Sequence, residues 1–124
     1  VDSKLMNIAS KFAFGTNSAG DLSGYLTELG KISSLADSIH LDQQSLIGNT
    51  NLMAMNRVQA GIRLLTSSIQ SSLARNETRG VHKRIDFGDE NPELIHHITV
   101  DEAGNIGTLA IRKGQKDNWI LTPQ

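Results

Sequence analysis

Apolar residues follow two spacings along this chain, a helical one up to Leu73 and an alternating one beyond Gly80. Met55, Val58, Ile62, Leu65, Ile69 and Leu73 recur every three or four residues, which lays one apolar stripe along one helix. Asn49 or Thr50 offers a side-chain oxygen to the orphan N–H groups at its start. After Leu73 come Arg75 and Arg79, cations favoured near a helix C-terminus, and then Gly80, which leaves a helix readily through positive φ. The pattern predicts one long helix that carries both arginines on its last turn and presents them at a surface.

Two helices are expected before it. Asp2 or Ser3 caps the first, whose apolar face is Leu5, Met6, Ala9, Phe12 and Ala13. The cluster Gly15–Gly20 ends it and reads as a plain connection. It has glycines, but neither the preceding strand nor the Gly-Lys-Ser/Thr ending of a phosphate-cradling loop. Asp21 caps the second helix, with Leu22, Tyr25, Leu26, Leu29, Ile32, Leu35, Ala36 and Ile39 on its stripe and an end near His40. Gly24 and Gly30 each cost it about 1 kcal/mol relative to alanine, so tertiary packing or close approach of a neighbouring helix must hold it. A short turn over Leu41–Gly48 makes the two striped helices antiparallel neighbours.

Beyond Gly80, Val81–Phe87 alternates weakly and Gly88–Pro92 is turn chemistry. Leu94–Val100, a turn at Asp101–Asn105 and Ile106–Arg112 form a hairpin; Lys113-Gly114-Gln115 turns again and Trp119-Ile120-Leu121 offers a third short strand. The expected fold is mainly α: an antiparallel, spectrin-repeat-like three-helix bundle over residues 1–88, with a C-terminal β-hairpin extension over 89–124 packed on it, one domain overall.

The 124 residues and 13.5 kDa suit one domain with its own core. The lack of cysteine excludes thiolate zinc sites, thiol nucleophiles and disulfide scaffolds, and leaves the redox compartment open. A net charge of −1 argues against a generally basic nucleic-acid binder. No apolar run has the length of a membrane span and no leader pattern is seen, so a soluble chain is expected. Val1 in place of methionine is expected of a chain that is processed or cut from a longer one.

Most candidate chemistry has a plainer reading. His96 and His97 are adjacent, so a strand sends them to opposite faces and they cannot chelate together. His82, beside Arg79 and Lys83, reads first as a solvated surface histidine that can donate and accept hydrogen bonds. The serines of 33–45 and 67–72 are polar helix faces outside any Gly-x-Ser-x-Gly elbow. Met53 and Met55 read as core filler. Asp86, Asp89 and Glu90 read as caps and surface charges before a carboxylate pair. Arg75, Arg79, Lys83 and Arg84 form the one concentration of charge, with Glu77 inside it. Only Phe87 is near to stack on a base, so a docking surface, with guanidinium forks meeting a partner's carboxylates or carbonyls, is favoured over nucleic acid.

At these residues the sequence resembles the C-terminal domain of the fumarate reductase and succinate dehydrogenase flavoproteins, a family that includes L-aspartate oxidase. Ala74, Arg75, Glu77, Arg79, Gly80 and His82 match its Ala-Arg-Lys-Glu-Ser-Arg-Gly-x-His signature, with Asn76 for the lysine and Thr78 for the serine. Asn49-Thr50-Asn51-Leu52 resembles the family's helix opening. Arg84-Ile85-Asp86-Phe87 resembles its Arg-x-Asp-aromatic step, with Gly88 where proline is usual. Leu94-Ile95-His96-His97 resembles its Trp-x-Lys-His-Thr-Leu segment without the tryptophan.

The resemblance implies an intact FAD-dependent enzyme of electron transport that reduces fumarate or oxidises succinate or a related dicarboxylate. Its flavin and catalytic residues are implied to lie in flavin-binding and capping domains of the same polypeptide, so this chain is expected to hold no catalytic, cofactor-binding or metal residue and to be inactive alone. No Gly-x-Gly-x-x-Gly occurs to cradle a pyrophosphate. An iron–sulfur subunit as further partner, and a cytoplasmic location at the inner face of the membrane, are also implied. Arg75, Glu77, Arg79 and His82 are expected to dock against the flavin-binding domain. Exposed charge pairs contribute at most about 1 kcal/mol, so Arg79 is expected to be expendable in the isolated domain and needed in the intact enzyme. The alternative is a stand-alone protein-interaction or weak nucleic-acid-binding module using Arg75, Arg79, Lys83 and Arg84.

Overall fold

A computed structural model describes residues 1–39, 47–113 and 119–123. Three helices, α1 (Asp2–Phe14), α2 (Ala19–Asp37) and α3 (Thr50–Ala74), are followed by strands β1 (His96–Val100), β2 (Ile106–Lys113) and β3 (Trp119–Pro123). The turn expected over Leu41–Gly48, and that at Lys113-Gly114-Gln115, lie largely outside the described residues.

The core is the set of stripes facing inward. Leu5 and Ile8 of α1, Leu22, Leu29, Ile32 and Ala36 of α2, and Val58, Ile62 and Ile69 of α3 are buried together, with Val1, Phe12, Tyr25, Leu26, Leu65 and Leu73 packed against them. Helix α3 touches both other helices and also β1 and β2, so it is the central element. Asp86 bonds the start of α2 while its partner Arg84 bonds the end of α3. The two helices therefore run antiparallel. Arg57, early in α3, meets Asp2 at the start of α1, so α1 runs parallel to α3. The bundle is up-down-up, as the stripes predict.

Several local expectations change. In α1 the buried line is Val1, Leu5, Ile8 and Phe12, whereas Met6 is exposed. The helix turns this way because Gly61 of α3 lets Leu5 come close: a Cβ there would lie 3.0 Å from Leu5 Cδ2. Gly24 and Gly30 face open space, so the close helix approach is at Gly61 and not at either of them. Asp2 belongs to α1 itself, and Val1 precedes it as the N-cap without a side-chain cap. Ser18 caps α2, and Asp21 is the third helical residue that bonds back to the Ser18 N–H at 2.8 Å, a reciprocal capping box. Asn49 caps α3 as expected, its Oδ1 accepting from Leu52 N–H at 2.9 Å. Leu35 and Ile39 are exposed on either side of buried Ala36, and Met53, 70% exposed, is not core filler.

The C-terminal segment is a three-stranded antiparallel sheet in the order β1-β2-β3. Val100 pairs with Ile106 and His96 with Ala110, so the hairpin closes over Asp101–Asn105; Lys113 pairs with Trp119 to add the third strand to the expected hairpin.

Candidate functional site

The largest departure from the sequence pattern is where α3 stops. It ends at Ala74, and Arg75 is already extended. Arg75 and Arg79 do not share a helix face, and the stretch 75–86 is an irregular segment built around two carboxylates.

The first carboxylate is Glu77, whose side chain is 0% exposed. Arg79 reaches it with Nε at 3.2 Å from both oxygens and Nη2 at 3.0 Å from Oε2; Asn91 N–H donates to Oε2 at 2.9 Å, and Arg75 Nη1 donates to Oε1. Burial pushes the Glu77 carboxyl up, but the hydrogen bonds from Arg79, Asn91 and Arg75, with the charge of Arg79, outweigh it and hold the group at about 2. The same contact raises Arg79 above its ordinary value.

These arginines also fasten the sheet to the end of α3. Arg75 Nη1 donates to Leu94 carbonyl at 3.1 Å and its Nη2 to the carbonyl of His96, the first residue of β1. Arg79 Nη2 donates to Asn91 carbonyl at 3.1 Å, and its Nη1 lies 3.4 Å from Glu90 Oε2. His82 closes the group, with Nε2 at 3.3 Å from the Arg75 carbonyl oxygen. Arg79 and His82 exchange both backbone hydrogen bonds across a two-residue turn, at 2.9 and 3.0 Å. Gly80 takes the left-handed conformation that turn requires, φ +59. Arg75, Glu77, Arg79 and His82 therefore come together as the sequence predicts, although by a turn and not along a helix.

The second carboxylate is Asp86. Arg84 grips it with Nε to Oδ1 at 2.8 Å and Nη2 to Oδ2 at 2.7 Å, and the N–H of Ala19 at the start of α2 donates to it at 3.1 Å. The bonds from Arg84 lead in holding Asp86 at about 2, against burial, which raises it. Arg84 Nη1 meanwhile donates to the carbonyls of Ser72, Leu73 and Arg75, at 3.0, 3.2 and 3.2 Å. A cation thus caps the negative end of α3 while an anion caps the positive end of α2. Asn17, buried in the α1–α2 connection, is part of the same joint: its N–H donates to the Lys83 carbonyl and its carbonyl accepts from Ile85 N–H, both at 3.2 Å. That connection is structural and not plain. The Arg-x-Asp-aromatic step carried the signal for this joint, and Phe87 completes it with its ring centre 5.1 Å from the Arg84 guanidinium. Nothing local singled out Asn17 or Asn91.

The cationic patch proposed as the alternative does not assemble. Arg84 is 3% exposed, and Arg75 and Arg79 are committed to Glu77 and to carbonyls, leaving Lys83 as the member whose side chain faces solvent without an ion pair among the described residues. His96 and His97 alternate across β1, the first half-buried and the second exposed. Among the described residues no group of three or more His, Asp or Glu is placed to hold a metal ion, and no helix is long and apolar enough to cross a membrane.

The comparisons agree with this architecture. Residues 4–119 match the family model described as the fumarate reductase flavoprotein C-terminus. No curated protein matches the chain. Among solved structures, a mutant of the E. coli quinol fumarate reductase FrdA is similar at a TM-score of 0.69 and 17% identity, a likeness of fold. The match covers 95% of this chain and 19% of that one, so this chain spans about a fifth of the relative's length. With its family model matched over nearly its whole length, and with the signature residues gathered at one end of the bundle, the chain belongs to the fumarate reductase flavoprotein C-terminal family.

Proposed function

We propose that the chain is the C-terminal part of an FAD-dependent oxidoreductase of dicarboxylates, of the fumarate reductase and succinate dehydrogenase type, and that it packs against the flavin-binding part of the same polypeptide without catalysing anything alone. The observation that carries this reading is the family match over residues 4–119. FAD and the reacting dicarboxylate belong to the remainder of the polypeptide, which hands electrons on within an electron-transport assembly. An iron–sulfur subunit and attachment at the inner face of the cytoplasmic membrane fit that role.

Within this reading, the end of the bundle that bears Arg75, Glu77, Arg79 and His82 is the docking end. Arg75, its side chain 17% exposed, holds the sheet in place, and Glu77 holds both arginines. Arg79, 38% exposed, is the member that reaches outward, because among the described residues its Nη1 makes only the 3.4 Å contact with Glu90. A planar cation with an N–H to spare suits a carboxylate or carbonyl across a domain boundary.

The test is the visible spectrum of the intact polypeptide and of the 124-residue chain, each with and without added FAD, together with fumarate reduction by an artificial electron donor. The expected result is a flavin spectrum and turnover in the intact polypeptide and neither in the isolated chain. Tight stoichiometric flavin binding by the isolated chain, or an intact polypeptide free of flavin, would overturn the reading.

A further inference from the structure

We infer that the contact with the flavin-binding part is centred on an apolar knob, Val81, and the two hollows beside it. This deepens the flavoprotein reading and rests on it. Val81 is 100% exposed, at the tip of the Arg79–His82 turn. Such tips favour glycine, asparagine, aspartate or serine, and a β-branched apolar residue there gains nothing from its own chain. Nor is the tip loose. Two backbone hydrogen bonds close the turn, and Arg79 and His82 at its base are tied to Glu77 and to the end of α3. A rigid support holds one apolar side chain out into solvent.

Each side of the turn carries a hollow with apolar side chains on its wall. A hollow of about 250 Å³ lies between the turn and the end of α1, where Phe12 and Ala13 line it beside Val81. A second, of about 750 Å³, lies between the turn and the sheet, with Leu94, Ile95 and Ile111 on its wall. Val81 lines both, so knob and hollows form one continuous strip. A fully exposed β-branched side chain on a braced turn, flanked by two hollows with apolar walls, is suited to insertion into a partner surface.

The polar groups around the larger hollow are arginines and histidines, Arg75, Arg79, His82, His96 and His97, and no carboxylate lines it among the described residues. A complementary surface is apolar and bears carboxylates or carbonyls at its rim. The flavin-binding part of the same polypeptide is the occupant, since in the similar E. coli chain this fold accounts for 19% of the length and the other four-fifths remain to be packed against. Interfaces of this kind place an apolar centre inside a polar rim.

Hydroxyl-radical labelling of the isolated chain and of the intact polypeptide tests this, together with Val81→Arg. Val81 is expected to be labelled strongly in the isolated chain and to lose most of that labelling in the intact polypeptide. Val81→Arg is expected to leave the Tm of the isolated chain unchanged and to cause loss of flavin from the intact polypeptide. Met53→Arg, an exposed change near the opposite end of α3, should do neither. Full labelling of Val81 in an intact polypeptide that carries its flavin overturns the proposed surface and leaves the flavoprotein reading standing. Dimerisation of the isolated chain that Val81→Arg abolishes makes a second copy the occupant and also overturns it. An intact polypeptide without flavin overturns both.

Discussion

Glu77→Gln removes one charge at nearly constant shape, at a site with no solvent to compensate. The carboxylate receives Arg79, Arg75 and Asn91 N–H. A glutamine keeps one acceptor oxygen and places an NH2 group against at least one of these donors. Removing one partner of a buried ion pair costs about 3–5 kcal/mol. Arg75 keeps the carbonyls of Leu94 and His96, and Arg79 is part-exposed, so the loss belongs near the lower end. A second route gives a similar size. The carboxyl falls from its ordinary 4.5 to about 2, and at about 1.4 kcal/mol per tenfold change in proton affinity this corresponds to about 3 to 4 kcal/mol. The sign follows from the depressed folded value. This stabilisation is present above the ordinary pKa, near 4.5, and is lost as pH falls towards about 2. Urea melts followed by helical circular dichroism should separate the two proteins by about 3 kcal/mol at neutral pH, with the gap closing across that acid window. Asp86 titrates low in both proteins and cancels from the difference. A gap under about 1 kcal/mol, the size of an exposed pair, or one that ignores pH, would refute a buried and ionised Glu77.

Four further changes probe the scaffold. Arg84→Lys keeps the charge but cannot serve both Asp86 oxygens and three carbonyls, so a loss of at least about 2 kcal/mol is expected, with faster amide exchange at the end of α3. Gly80→Ala meets no neighbour, so its cost should be the left-handed strain alone, about 1–2 kcal/mol by thermal melting. Ile69→Ala, at a fully buried site, should cost about 2–5 kcal/mol, while Leu64→Ala on the exposed face of the same helix should stay within about 0.5 kcal/mol.

The stripe of α3 was legible because a long amphipathic period depends on few details. Its end was not. Arg75 and Arg79 suit a helix C-terminus by local rules, but Arg84, from beyond the turn, takes the last carbonyls, so the chain leaves the helix at Arg75. In α1, Leu5 and Met6 are adjacent and either can lead the apolar face. Gly61, more than fifty residues away, decides for Leu5. The signature residues were legible as a group, but the burial of Glu77 was not, since it depends on Asn91, Leu94 and His96 folding back. For the same reason Arg79→Ala is expected to cost stability in the isolated domain too, since an enclosed carboxylate would lose its principal donor.

Thermal melting of Arg79→Ala in both the isolated chain and the intact polypeptide tests domain docking most directly. In the isolated chain a clear fall in Tm is expected, because buried Glu77 is left with Arg75 and one backbone N–H. In the intact polypeptide the fall should be larger and accompanied by loss of flavin, because Arg79 also serves the contact between domains. Equal falls in the two, with flavin fully retained, would confine Arg79 to the fold of its own domain and contradict docking through this end of the bundle.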